Sequence, residues 1–150
     1  CIASILLDDG GNVSRSAEAE HERAVAMTDL LHDNLFAPVG LENGPYDVRL
    51  GVEDGRLAFG IRSAEKKEQR VVLPVGSLKP IIRDYFLICE SYYDAIKKGG
   101  HGKLEAIDAG RRSVHNEGAE LLKLLLANKI AVDFPTARRL FTLVCVLHIK

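Results

Sequence analysis

The run Tyr46-Asp47-Val48-Arg49-Leu50-Gly51-Val52-Glu53-Asp54-Gly55-Arg56-Leu57-Ala58-Phe59-Gly60-Ile61 decides the fold class. Tyr46, Val48, Leu50 and Val52 alternate, and Leu57, Phe59 and Ile61 alternate again beyond Asp54-Gly55. Asp-Gly suits a two-residue hairpin turn, because both central residues of a type I′ turn need positive φ. With that turn Glu53 faces Arg56 and Val52 faces Leu57, so both apolar sets fall on one side of a hairpin. Ala64–Gln69 reads as a solvated charged turn. Arg70–Val75 reads as a third strand, with Pro74 placing it at an edge or at its end.

Working outward, Ile2–Leu7 is a short apolar run closed by Asp8-Asp9-Gly10-Gly11, a strand and a turn. Ser14 or Ser16 can cap a helix reaching about Asn34, with Glu18, Glu20 and Glu22 near its positive end. Ala17, Ala24, Val25, Thr28 and Leu31 recur at helical spacing, which predicts that this face is buried. Asn34 to Pro45 reads as a connector.

From Ser77 the period changes from two to helical. Ser77 can cap a helix with Pro80 in its first turn, and Ile81, Tyr85, Ile88, Cys89, Tyr92 and Ile96 form its stripe. Gly99-Gly100 ends it. Leu104, Ile107, Arg111, Val114, Gly118, Leu121 and Leu125 then follow at alternating three- and four-residue steps, an antiparallel-bundle seam with two odd members, an Arg and a Gly. Ile130-Ala131-Val132 is a short extended link. Asp133 caps a last helix carrying Pro135 early and Ala137, Leu140, Phe141, Val144 and His148 on its face. The expected architecture is therefore α+β: a small antiparallel sheet with a hairpin and one early helix, packed on a C-terminal bundle of about three helices. Residues 1–150 form one domain in this reading, with the sheet and first helix in 1–76 and the helical part in 77–150.

Composition bounds the function. With 150 residues, 20 Lys+Arg against 21 Asp+Glu and a mean hydropathy of +0.00, the chain lacks the charge of a general nucleic-acid or membrane-surface binder. At 47% hydrophobic and 27% charged it can bury a core, which excludes disorder as its main state. The three cysteines, Cys1, Cys89 and Cys145, form no close pair, so they fit neither a disulfide framework nor zinc-ligand spacing, and a reducing cytoplasm suits them. No apolar run approaches the roughly 18 residues a membrane span needs. Cys1 at the start would suit a lipid-anchored chain, but Ile2–Leu7 reads as a strand of a fold rather than a tether.

The familiar nucleotide-binding, hydrolase-elbow and zincin motifs are absent. His21-Glu22-Arg23-Ala24-Val25 lacks the second His of a zincin helix, and His32 lies about 16 Å further along. His21 reads as a core-edge histidine, and no metal or cofactor is expected. The constellation that departs from pattern is Asp108, Arg111, Arg112, His115, Asn116 and Glu117. On a helix Asp108 reaches Arg111 and Arg112, Arg111 reaches His115, and Arg112 reaches Asn116. Arg111 and His115 lie on or beside the apolar seam, and a guanidinium there needs an acceptor, for which Asp84, Glu90 and Asp94 are candidates.

Three readings of this constellation are open. Asp108, Arg111 and a carboxylate can form a structural network that fixes helix register. Arg111, Arg112 and Arg138, with Asp108 and Asn116 beside them, can present a binding site for a small anionic ligand or protein partner. Or His115 acts as general acid/base with Arg111 stabilising developing charge, as a small hydrolase or ribonuclease requires. Arg111-Arg112-Ser113-Val114-His115-Asn116 is similar in content to the motif of helical HEPN-type ribonucleases, with one residue fewer between Arg and His.

Five blocks carry a broader resemblance: His21-Glu22-Arg23-Ala24-Val25-Ala26, Asp84 to Tyr93, Gly110-Arg111-Arg112, His115-Asn116-Glu117-Gly118 and Thr136 to Leu143. Through them the chain resembles an uncharacterised UPF-type family of small alphaproteobacterial proteins, along nearly its whole length. The resemblance implies a bacterial cytoplasmic protein and carries over no activity and no functional residue. It also implies that Cys1 is an internal residue of a longer chain. The leading expectation is a non-enzymatic binding or regulatory domain, homo-oligomeric because its last two helices offer more apolar face than a lone hairpin covers.

Overall fold

Val52 pairs with Leu57 and Glu53 with Arg56 across Asp54-Gly55, whose φ angles are +50° and +73°, the type I′ turn that the dipeptide predicts. A computed structural model describes residues 1–8, 17–99 and 101–148, and within 101–103 it describes the backbone alone. The expected turn at Asp9-Gly10-Gly11, the caps at Ser14 or Ser16, and Gly100 lie outside the described residues. In chain order the elements are β1 (Ile2–Asp8), α1 (Ala17–His32), β2 (Phe36–Pro38), β3 (Tyr46–Glu53), β4 (Arg56–Arg62), β5 (Glu68–Pro74), α2 (Lys79–Lys98), α3 (His101–Leu126), β6 (Ile130–Val132) and α4 (Phe134–Leu147).

The α+β class and the helical C-terminal bundle follow the sequence reading, and the sheet adds a parallel edge. Its order is β1-β3-β4-β5, antiparallel from β3 to β5, with β1 parallel to β3. The segment between β1 and β3 carries a helix, so it is long enough to return the chain in the same direction. Tyr46, Val48, Leu50, Leu57, Phe59, Ile61, Val71 and Leu73 are buried in the core. Val52, at the hairpin tip, is exposed. Pro74 ends the edge strand β5, where a missing N–H breaks no ladder bond.

The Asn34–Pro45 connector holds structure that the sequence did not announce. β2 pairs antiparallel with β6, so the expected extended link at residues 130–132 is one strand of a ribbon. Asn34 anchors this region by accepting from Ile2 N at 2.7 Å and donating to Leu30 O at 2.8 Å.

Several helix expectations are corrected. The inner face of α1 is Ala19, Glu22, Ala26 and Leu30, while Val25 and Leu31 are 44% and 43% exposed and His21 is exposed. The apolar residues misled because a carboxylate occupies the centre of the buried face. Ser77 does not cap α2: the turn from Leu78 N to Val75 O moves the helix start one residue on, to Leu78, which makes no side-chain cap. Asp133 does cap α4, its Oδ1 accepting from Thr136 N at 3.0 Å. In α3 the deepest line is His115, Gly118, Ala119, Leu122 and Leu126, rotated by one residue from the expected seam. Gly118 causes the rotation, since without a Cβ it lets the Phe141 ring lie directly on the α3 backbone.

α4 is buried on every side from Leu140 to Val146, packed between α1 and α3 and touching α2, β1 and β3. Its apolar surplus, which the sequence offered to a second copy, is covered within this chain.

Candidate functional site

The polar centre starts at Glu22, which α1 places 6% exposed between Ala19 and Ala26. A buried carboxylate needs a positive or hydrogen-bonding partner. Arg111 of α3 supplies one: Nη2 donates to Glu22 Oε1 in a short charge-assisted bond. Tyr93 OH of α2 donates to the same oxygen at 2.7 Å. The Arg111 guanidinium lies 5.0 Å from the centre of the Tyr92 ring. Glu22 therefore ties three helices together through one atom.

Below this pair lies a stacked layer. The Tyr85 and His115 rings are 5.1 Å apart and 19° from parallel, and the edge of Phe141 meets Tyr85 at 6.0 Å. Burial, then Arg111 and Arg138, lower the His115 pKa to about 4, so the ring is neutral at pH 7. Burial raises the pKa of Tyr85, and burial with the Glu22 carboxylate raises that of Tyr93. Cys89, beside Tyr85 and Arg111, is held as a thiol by its burial and by Glu22. At Arg111 burial opposes the charge, but Glu22 more than offsets it and secures the guanidinium. Arg138 has no such support: burial and then Arg111, Arg139 and Arg112 all lower its pKa.

Arg111 and Arg138 both act on His115, so these three candidates lie near one another. Asp108 does not bind Arg111; it pairs with the largely exposed Arg112 at 3.5 Å, one turn along the helix. Asn116 is exposed. Asp84, Glu90 and Asp94 are also exposed, and Glu22 takes the role expected of them. The signal that could have found Glu22 is the stripe Ala19, Glu22, Ala26, Leu30, which has helical spacing but a charge at its centre. His115 is buried, its ring stacked on Tyr85, so the histidine named in the hydrolase or ribonuclease reading lies inside the core.

Among the described residues no three of His, Cys, Asp or Glu come together as metal ligands, and no helix is long and apolar enough to cross a membrane.

Residues 1–150 match the model of the uncharacterised protein family UPF0262. The chain belongs to this family. A UPF0262 protein of Paramagnetospirillum magneticum is 53% identical over 150 residues, covering 99% of this chain and 96% of the relative. UPF0262 proteins of Azorhizobium caulinodans and Phenylobacterium zucineum are 50% and 48% identical. These alignments cover 99% and 98% of this chain, and 94% and 92% of the relatives. No solved structure matches the chain. UPF0262 membership gives kinship with alphaproteobacterial proteins and assigns no chemistry, so the function has to be argued from the residues.

Proposed function

We propose that this bacterial protein is a non-enzymatic binding or regulatory domain of the cytoplasm, homo-oligomeric, that recognises a small anionic group on the arginine-lined side of α3 and α4. One observation carries the reading: Arg111 Nε, Arg138 Nε and His115 Nε2 are all buried without a hydrogen-bond partner. Both Nε atoms are obligate donors, and leaving a buried donor unmade costs about 1–3 kcal/mol. A carboxylate or phosphate oxygen is the acceptor such donors select. Arg138 adds a second argument, since among the described residues it has no carboxylate partner while three other arginines act on it. The free thiols at Cys1, Cys89 and Cys145 suit a reducing compartment.

The test is thermal unfolding with increasing inorganic phosphate or citrate, for the native chain and for Arg138→Gln. Phosphate and citrate also stabilise proteins in general by exclusion from the surface, and the variant measures that background. The reading expects a rise in Tm for the native chain that clearly exceeds the rise for the variant. Equal rises in both would overturn it.

A further inference from the structure

On the opposite side of the Glu22 layer, α1, α2 and the C-terminal turn of α4 enclose a cleft of about 630 Å³, within the range of small-molecule sites. Its floor holds Glu22, Tyr85 and His148. Each presents an unused polar atom. Arg111 and Tyr93 both bond to Glu22 Oε1, and among the described residues Oε2 has no hydrogen-bond partner. Tyr85 is 2% exposed, and its hydroxyl is buried with no oxygen or nitrogen in reach, the Cys89 sulfur beside it being only a weak acceptor. His148 Nε2 is likewise buried and unpartnered.

The tautomer of a neutral His148 ring follows from its other nitrogen. Nδ1 lies 2.8 Å from Val144 O, and a carbonyl can only accept, so Nδ1 carries the hydrogen. In the neutral ring Nε2 is then an acceptor. Glu22 Oε2 is an acceptor as well, and the Tyr85 hydroxyl can accept. The floor therefore asks for donors, the reverse of the arginine-lined side.

The walls and rim point the same way. Phe86 and Tyr93 line the sides, offering apolar contact and ring faces that attract a cation. Glu90 and Asp94 stand at the rim, Asp94 paired with Lys98 at 3.1 Å, and Lys97 is 3.3 Å from Glu18. A carboxylate ligand would meet acceptors rather than donors at the floor, where Glu22 already has Arg111 as its counter-ion, and the carboxylates of Glu90 and Asp94 at the rim.

We propose that this cleft is a binding site for a small organic ammonium ion, its charged nitrogen donating to Glu22 Oε2, His148 Nε2 and Tyr85 OH. Its carbon body would lie against Phe86 and Tyr93. This site uses the acceptors of Glu22, His148 and Tyr85 rather than the arginine donors of the anion reading, and the two meet at the Glu22–Arg111 pair.

Calorimetric titration of the native chain with phenethylamine and 1,5-diaminopentane tests the proposal, with 3-phenylpropionate and 2-phenylethanol as shape-matched controls. At least one amine is expected to bind at millimolar concentration or below, and tighter than both controls. Tyr85→Phe keeps the ring and removes the hydroxyl, and it should weaken the amine about tenfold, the loss of one hydrogen bond to a charged group. Asp94→Lys, a change at an exposed position that loses only the surface pair with Lys98, should weaken it several-fold. The proposal is overturned if neither amine binds better than the controls. It is overturned equally if Tyr85→Phe and Asp94→Lys, both folded by circular dichroism, bind the amine as the native chain does.

Discussion

Gly118 of α3 lies directly against the ring of Phe141 of α4, so close that a Cβ at residue 118 would overlap the ring. The contact sits where α3 is most deeply buried, beside Ala119 and Leu122, and the Phe141 side chain is itself fully buried. The glycine keeps two long helices close enough for Tyr85, His115 and Phe141 to meet.

Gly118→Ala is therefore expected to destabilise the protein by about 1–3 kcal/mol, the range for overpacking a core, despite the better helix propensity of alanine. Urea unfolding measures it. Shrinking the ring by Phe141→Leu in the same chain should make the alanine less costly than it is alone, and an unchanged midpoint for Gly118→Ala would remove the close approach from the account.

The Glu22–Arg111 pair is buried at the carboxylate and 21% exposed at the guanidinium. Removing one partner strands the other, which costs about 3–5 kcal/mol in a fully buried pair and less where water reaches one side. Arg111→Met and Glu22→Gln should each lower stability by about 3 kcal/mol, and the double variant should lose clearly less than the sum. Simple additivity in a double-mutant cycle would mean that the two residues stabilise the fold separately.

His115 makes stability depend on pH with a definite sign. Its folded pKa of about 4 lies below the usual 6.5, so between those values the unfolded chain binds more protons. Stability from this residue is full above about pH 6.5, falls as the pH drops, and is gone near pH 4. The whole effect is about 3 kcal/mol. Unfolding midpoints from pH 4 to pH 7 should rise more steeply for the native chain than for His115→Phe, which keeps an aromatic ring against Tyr85. Parallel slopes would show that the imidazole ionises freely in the folded state.

Light scattering coupled to size separation should find a species heavier than the 16.5 kDa chain. The exposed apolar residues of α1, Val25 and Leu31, are the side chains a second copy would cover, since α4 is already enclosed. A monomer at high protein concentration would sink the self-association part of the proposed function.

What was legible in the sequence was local. The hairpin could be read because its turn and its alternation agree within sixteen residues, and the Asp133 cap because its acceptor and donor are three residues apart. The parallel pairing of β1 with β3 has no such local mark. Arg111 stood out as a charge in an apolar seam, but its acceptor lies 89 residues away, on a face whose charge hid its burial. The outward line of Ala24, Val25, Thr28 and Leu31 looked like the buried one because periodicity reports that a helix has two faces, not which one meets the core. The grouping of Arg138 with Arg111 and His115 was visible only as an echo of paired arginines, and it takes the α3–α4 packing to bring them into range.

The β2–β6 ribbon holds two of the three helices around the amine cleft at the ends remote from it. β2 follows α1 and β6 precedes α4, and Leu35 N also donates to Thr136 Oγ1, so these two helices are clasped near one end. α2 has no strand in that clasp; its start is tied to the chain after β5, where Leu78 N and Lys79 N donate to Val75 O. The clasped ends are the C-terminus of α1 and the N-terminus of α4, whereas the cleft lies beside Ala19 and His148 at their other ends, so a guest would sit where the ribbon does not hold the two helices together.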